Sequence, residues 1–214
     1  MEADRSQFDV GSLLAETRAL ITRSSWRVLV AGIVMTAVGV LLDLSSDGRS
    51  TNILFSFAAL IFQWRITTFL LAEFGKGASE GSGSIIGVSF LSGFGIVLGL
   101  ILLVIPGIIL FVRWSIAVPI VLSERQGASA ALRESWYRTE GHFWPIFGLF
   151  LLIYVPVLIV GFGVGALLPA TMALATSIAI NAAATLALIV GWHAAIALFF
   201  ASDPPAQALE EVFA

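Results

Sequence analysis

Two arginines lie inside long apolar stretches, and they are the residues best placed to do chemistry. Arg65 stands two positions after Gln63, and Arg113 stands directly before Trp114. An arginine at the centre of a bilayer costs about 2.5 to 3.5 kcal/mol on insertion scales, so each is expected to face the bundle interior or water and to find a partner. No Asp or Glu lies as far inside these apolar stretches. Arg65, Arg113, Gln63 and Trp114 are therefore candidates for an anion-binding site.

The absence of acidic partners leaves two interpretations of the arginines. In the first, the guanidinium groups bind the phosphate of an anionic lipid in the inner leaflet, because arginine recognises phosphate by charge-assisted hydrogen bonds. In the second, the side chains extend toward the headgroups, or bond to carbonyl groups that are freed near Pro106 and Pro119. The sequence leaves both interpretations open.

A second group of cationic and aromatic residues falls on an amphipathic stretch and just after it. Small and apolar residues recur at helical spacing from Ala128 to Thr139, with the charges mostly elsewhere around the helix. Glu134 can pair with a basic residue four positions later. The candidates for contact with headgroups or with a partner protein are Arg133, Trp136, Arg138 and Trp144.

Metal and nucleophile chemistry find little support. The chain has no cysteine, which excludes disulfides, thiolate metal sites and cysteine nucleophiles. His142 and His193 each lack a second histidine or an acid at i+3 or i+4, so both are expected to be interfacial residues rather than ligands. No serine stands in a nucleophile elbow. No cofactor is expected, and a membrane-embedded hydrolase is the least supported class.

The composition predicts a single membrane domain over residues 1–214. Of the 214 residues, 58% are hydrophobic and 12% are charged, against about 25% charged in an ordinary soluble domain. The 11 basic residues are scattered and form no basic face, so nucleic-acid binding is excluded. The natural solvent of such a chain is lipid.

The apolar stretches predict an all-α protein with six transmembrane helices and two interfacial amphipathic helices. From Ile85 to Leu122 the chain is apolar for nearly twice the length that one helix needs to cross a core of ~30 Å, so it must break, and Ile105-Pro106-Gly107 is the predicted break. The predicted spans are 26–42, 52–72, 85–105, 108–122, 143–168 and 172–201; the interfacial helices are 8–24 and 127–139, and a flexible Gly/Ser-rich linker covers 73–84.

The distribution of basic residues predicts that both termini are cytoplasmic. With the N-terminus inside, every basic residue outside the spans falls on the cytoplasmic side except Arg49. Trp26 and Arg27 then open the first span at the inner interface. A shift of 118 residues also aligns Leu14 with Leu132 and Trp26 with Trp144, which indicates either a parallel repeat or a chance similarity between two interfacial helices.

The central part of the chain resembles a known bacterial membrane family. Residues 105–124 read IPGIILFVRWSIAVPIVLSE, residues 131–136 read ALRESW, and residues 139–144 read TEGHFW. These segments are similar to the membrane domain of glycerophosphoryl diester phosphodiesterases, and to related six-helix inner-membrane proteins of unknown function. The resemblance implies six helices and a bacterial cytoplasmic membrane.

The resemblance implies little about activity. In the namesake proteins a separate soluble barrel carries phosphodiester hydrolysis, and this chain is expected to lack that barrel. The expected function is a non-enzymatic inner-membrane module that binds or organises anionic lipid, or that holds a membrane protein partner or another copy of itself. The alternative is a small transporter or lipid-translocating protein, which needs a cavity at membrane depth lined by Arg65, Arg113, Gln63 and Asn181.

Overall fold

A computed structural model describes residues 8–45, 51–76, 82–167 and 170–202, and within these ranges the chain is helical and has no strand. This confirms the predicted all-α class. A short 3₁₀ turn, Ala170–Met172, precedes the last helix. The helices are α1 (Val10–Arg23), α2 (Ser25–Ser45), α3 (Thr51–Glu73), α4 (Ser82–Leu102), α5 (Val104–Arg113), α6 (Ala117–Glu124), α7 (Ala128–Arg138), α8 (Phe143–Leu167) and α9 (Ala173–Ala201).

Six helical segments of the described chain are long and apolar enough to cross a membrane, as predicted. Five of them are the single helices α2, α3, α4, α8 and α9, and the sixth consists of α5 and α6 together. Large apolar side chains on their outer surfaces are exposed, among them Leu102 at 75% and Phe162 at 78%. Exposure of this kind suits hydrocarbon as the solvent, and helices satisfy their own backbone hydrogen bonds there. The chain is an integral membrane protein.

The two amphipathic helices are fixed to the bundle. The Asp9 carboxylate caps α1 by accepting a hydrogen bond from the Gly11 amide at 2.9 Å. Leu13, Thr17 and Leu20 are buried on one face of α1, which packs against α8 and α9. α1 and α7 occupy the stretches predicted as interfacial helices. In the predicted 73–84 linker, α3 ends at Glu73 and α4 begins at Ser82, while residues 77–81 lie outside the described part.

The hairpin formed by α4 and α5 turns at Leu103 rather than at the predicted Ile105-Pro106-Gly107. Leu103 has extended backbone angles, and α5 begins with the next residue. Pro106 therefore lies in the first turn of α5, where its missing N–H leaves no hydrogen bond unmade. Gly107 serves close packing instead of the turn, because a Cβ on Gly99 would lie 2.9 Å from the Gly107 Cα.

A second break interrupts the stretch that was predicted as one span, 108–122. α5 ends at Arg113 and α6 begins at Ala117. Pro119 explains the break, because it has no N–H to donate to the Ser115 carbonyl and its ring would clash with that group in a continuous helix. The Ala117 amide donates to the Trp114 carbonyl at 3.1 Å. The Arg113 carbonyl therefore loses the partner that a regular helix would provide.

α9 is the central helix and packs against α1, α2, α3, α6 and α8. α1 leads into α2 and α7 leads into α8 at one end of the bundle, here called the amphipathic end. Phe74 after α3 and Phe200 in the last turn of α9 meet there, with ring centroids 4.7 Å apart. The shift of 118 residues also aligns the first residues of α1 and α7, and those of α2 and α8.

Candidate lipid-binding site

Arg65 does not face the interior of the bundle, which was one of the two placements expected from the sequence. Its side chain is exposed on α3 and lines a groove of about 720 Å³ between α2 and α3. Trp26, Arg27 and Phe69 line the same groove, here called the α2–α3 groove. Trp26 is 72% exposed. The groove therefore opens on the outer, lipid-facing surface of the bundle.

Arg27 is the second cation of the groove, and sequence reasoning assigned it only to the membrane interface. Its guanidinium carbon lies 3.4 Å from the centroid of the Phe69 ring, a distance at which a cation is attracted to the face of an aromatic ring. The antiparallel pairing of the first two spans was the sequence signal that could have placed Arg27 in the groove. That pairing places the start of α2 beside the end of α3, and so brings Arg27 near Phe69.

Neither arginine of the groove is neutralised within the described part of the chain. The residues that line the groove include no Asp or Glu, and the salt bridges between described residues involve Arg138 rather than Arg27 or Arg65. Arg65 accepts one weak hydrogen bond at its backbone carbonyl, from the Thr68 hydroxyl at 3.2 Å. Two cations in one lipid-facing groove favour an anion as the occupant.

Arg113 is held in a different way, by helix α7. Its freed carbonyl accepts a hydrogen bond from the Ser135 hydroxyl at 2.7 Å. The Thr139 hydroxyl lies 3.3 Å from the same oxygen, but its single proton has a nearer acceptor in the Ser135 carbonyl at 2.8 Å. Both hydroxyls are buried, with residue exposures of 0% and 1%. Ser135 is on α7 and Thr139 directly follows the helix one turn later, and both hydroxyl oxygens lie within 3.3 Å of the Arg113 carbonyl oxygen. This arrangement, here called the hydroxyl clamp, fastens α7 to the break between α5 and α6.

The side chains around the clamp contact each other and a neighbouring helix. The guanidinium carbon of Arg113 lies 5.3 Å from the Trp136 ring centroid. Its Nη1 atom is buried and has no hydrogen-bond partner among the described residues. Trp114 packs against α4 at Gly95, where an added Cβ would lie 2.6 Å from the Trp114 ring. Of the predicted lipid-binding residues, Arg113 and Trp114 thus make contacts typical of packing.

Arg138 joins three helices at the amphipathic end. Its guanidinium lies 2.7 Å from the Glu124 carboxylate and 2.8 Å from the Glu134 carboxylate, and 5.9 Å from the Phe199 ring centroid. Burial by itself lowers the pKa of Arg138, but the two carboxylates outweigh it and raise the pKa above its ordinary value. The other two candidates in this region are more open, since Arg133 is exposed and Trp144 is 75% exposed.

The four residues that a transport cavity would require lie in separate places. Gln63 lines a smaller groove of about 450 Å³, which Ser89 and Trp192 also line. Asn181 donates a hydrogen bond to the Asp43 carboxylate at 2.8 Å, next to the Ser177 hydroxyl, which donates at 2.6 Å. Asn181 therefore joins α9 to α2, the role expected for polar residues between membrane helices.

His193 is a buried residue, which its predicted place at the membrane interface did not indicate. Its exposure is 0%. One ring nitrogen, Nδ1, lies 2.7 Å from the Ile189 carbonyl, which can only accept, and the other lies 2.8 Å from the Ser24 hydroxyl. Ser24, also 0% exposed, occupies the single non-helical position between α1 and α2. No sequence motif marks this pair, because its members are far apart in the chain.

One comparison with known proteins gives a match. The sequence model described as the membrane domain of glycerophosphoryl diester phosphodiesterase matches residues 85–201. This segment covers most of α4 and all of α5 to α9, and so it contains the hydroxyl clamp but not the α2–α3 groove. Curated proteins and solved structures show no match to the chain.

Proposed function

The chain belongs to the family of the membrane domain of glycerophosphoryl diester phosphodiesterase, and we propose that it is a non-enzymatic module of the bacterial cytoplasmic membrane that binds anionic lipid in the α2–α3 groove. The observation that carries this proposal is the presence of Arg27 and Arg65 in one groove without an acidic lining residue. A lipid phosphate supplies the missing negative charge and can enter sideways from the bilayer.

The orientation in this proposal places the amphipathic end in the cytoplasm. Basic residues at that end lie over aromatic rings, with the Arg23 guanidinium carbon 5.0 Å from the Phe74 centroid and the Lys76 amino group 4.8 Å from the Phe199 centroid. An excess of Lys and Arg is typical of cytoplasmic loops. The anionic inner leaflet would then meet the groove at its Arg27 side.

The buried Ser24–His193 pair supports a non-enzymatic role, although serine and histidine often act together in catalysis. A serine hydroxyl beside an imidazole is the arrangement that hydrolases use to activate a nucleophile. A catalytic pair must also reach a substrate carbonyl, with oxyanion donors about 3 Å away. Both residues are 0% exposed, and neither lines the grooves described above. The pair is better suited to fixing the angle between α1 and α2.

Native mass spectrometry of the gently extracted protein tests the proposal. The wild type should retain phosphatidylglycerol, and the double variant Arg27→Gln/Arg65→Gln should lose it. Two matched variants should retain it: Arg18→Gln, which removes the charge of an exposed residue on α1, and Arg113→Gln, which removes the charge beside Trp136. Equal retention by all four proteins, or no retention by the wild type, would refute the lipid site and direct the search to a protein partner by crosslinking.

A further inference from the structure

The two arginines of the α2–α3 groove stand at different depths. Both helices have one end at the amphipathic end, where α2 begins with Ser25 and α3 ends with Glu73. At 1.5 Å per residue, Arg27 lies about 3 Å along α2 from that end, whereas Arg65 lies about 12 Å along α3. Phe69, which holds the Arg27 guanidinium, is one helical turn nearer to the amphipathic end than Arg65 is.

The contact with Phe69 sets the depth of the Arg27 charge. A Cα–Cβ bond tilts toward the N-terminus of its own helix. Phe69 and Arg65 therefore lean in the same direction on α3, away from the amphipathic end, and keep the spacing of one turn. The stacking of Arg27 on Phe69 at 3.4 Å fixes the first charge. The cationic lining of the groove therefore extends along the membrane normal over roughly one turn, ~5.4 Å.

We infer that the lipid of this groove is a single-chain lipid diphosphate, whose two phosphates follow one another along the axis of the chain. The phosphate next to the chain would bind Arg65, and the terminal phosphate would bind Arg27 near the headgroup layer. This inference rests on the proposed function and names the class of lipid. A monophosphate lipid offers one charged group to two arginines at different depths. A cardiolipin headgroup offers two phosphates, but it places them side by side at one depth.

The remaining lining suits a narrow chain. Ile61 and Phe62 continue the groove beyond Arg65 on α3, away from the amphipathic end, and Val30 lines it on α2. Ile61 is 57% exposed, so this apolar part is open to the bilayer along its side. A chain attached to the deeper phosphate would lie against these residues.

Nanodiscs of phosphatidylcholine with one added lipid at a time provide the test, with lipid retention measured by native mass spectrometry. The added lipids are a polyprenyl diphosphate, the polyprenyl monophosphate of the same chain length, cardiolipin and phosphatidylglycerol. The diphosphate should be retained about tenfold more strongly than the monophosphate, a difference that corresponds to one additional charged contact. Arg65→Gln should reduce the diphosphate to the level of the monophosphate, and Arg65→Lys should restore part of the difference.

The other outcomes separate this inference from the proposed function. Equal retention of diphosphate, monophosphate and phosphatidylglycerol, lost in Arg27→Gln/Arg65→Gln, would overturn the inference and leave an anionic-lipid site. Stronger retention of cardiolipin than of the diphosphate would overturn the arrangement along the normal. Retention of no anionic lipid would overturn both. Because Arg65 is exposed, its substitution is not expected to unfold the protein, and circular dichroism of each variant checks this.

Discussion

Arg113 at the hydroxyl clamp and Arg65 in the α2–α3 groove have opposite surroundings. At the clamp, the backbone oxygen of Arg113 accepts from Ser135 with the Thr139 hydroxyl nearby, and its guanidinium lies over Trp136. In the groove, Arg65 is exposed and its side chain has no described protein partner. Both arginines are charges within predicted spans. The difference shows that such a charge can belong to the frame of the protein or lie exposed on its surface.

The physical reason for the difference lies in the helices that carry the two arginines. α5 ends at Arg113 because Pro119 prevents a continuous helix, and the oxygen that this break frees needs donors within the protein. α3 is regular through Arg65, so its backbone is satisfied and its side chain alone needs a partner. We therefore expect changes at the clamp to alter stability, and changes in the groove to alter ligand binding.

Removal of both clamp hydroxyls should have the largest effect. In Ser135→Ala/Thr139→Val, the partly buried Arg113 carbonyl loses the Ser135 donor and the nearby Thr139 hydroxyl, which costs about 1–3 kcal/mol for an unsatisfied group. The free energy of unfolding in detergent, measured by denaturant titration, should fall by that amount. Retention of anionic lipid by the folded fraction should not change.

Thr22→Val is the matched control for the clamp variant. The Thr22 hydroxyl also donates to a backbone carbonyl, that of Arg18 at 2.6 Å, but within its own helix and at an exposed position. Its loss should change the free energy of unfolding by less than about 0.5 kcal/mol, as is usual for surface positions. Equal destabilisation by the two variants would show that the clamp has no special role.

Neutralising Glu124 should also lower the free energy of unfolding, but by less than removal of the clamp hydroxyls. Glu124→Gln removes one of the two carboxylates that pair with Arg138, while Glu134 remains. The side chains of Arg138 and Glu124 are partly buried, at 16% and 27% exposure, so a loss of about 1 kcal/mol is expected after allowance for solvent screening. Arg65→Gln, measured in the same titration, should leave the free energy of unfolding within about 0.5 kcal/mol of the wild type.

Hydrophobic patterning was sufficient to predict the fold. The six spans and both amphipathic helices follow from apolar length and helical periodicity, which the bilayer enforces on every helix that crosses it. The positions of the breaks were harder to predict. Ile105-Pro106-Gly107 has the strongest breaking residues, yet the chain turns at Leu103, because a proline is compatible with the first turn of a helix. Pro119 breaks the helix before itself, and the sequence reading had left that span intact.

The candidate site was predicted only in part, because its residues come from different helices. Arg65 is conspicuous in the sequence as a charge among apolar residues. Its neighbour Arg27 looks like an ordinary interfacial residue until α2 and α3 are paired. The direction of a side chain around a helix was also decisive, since it places Arg65 on the outer surface while Arg113 lies against α7. Hydrophobic periodicity cannot predict the direction of a side chain around a span that is apolar on all sides.

The smallest predicted effect concerns the ring that holds Arg27. Phe69→Leu removes the aromatic face below the guanidinium but keeps an apolar side chain in the groove. A cation–π contact at an exposed site contributes about 0.5–1 kcal/mol, so affinity for anionic lipid should fall by roughly two- to fivefold. Phe57→Leu is the control, because Phe57 is a 58% exposed phenylalanine of the same helix and lines the Gln63 groove instead. If both variants retain lipid as the wild type does, Arg27 does not need the ring to bind phosphate, and the separation of the two charges in depth loses its support.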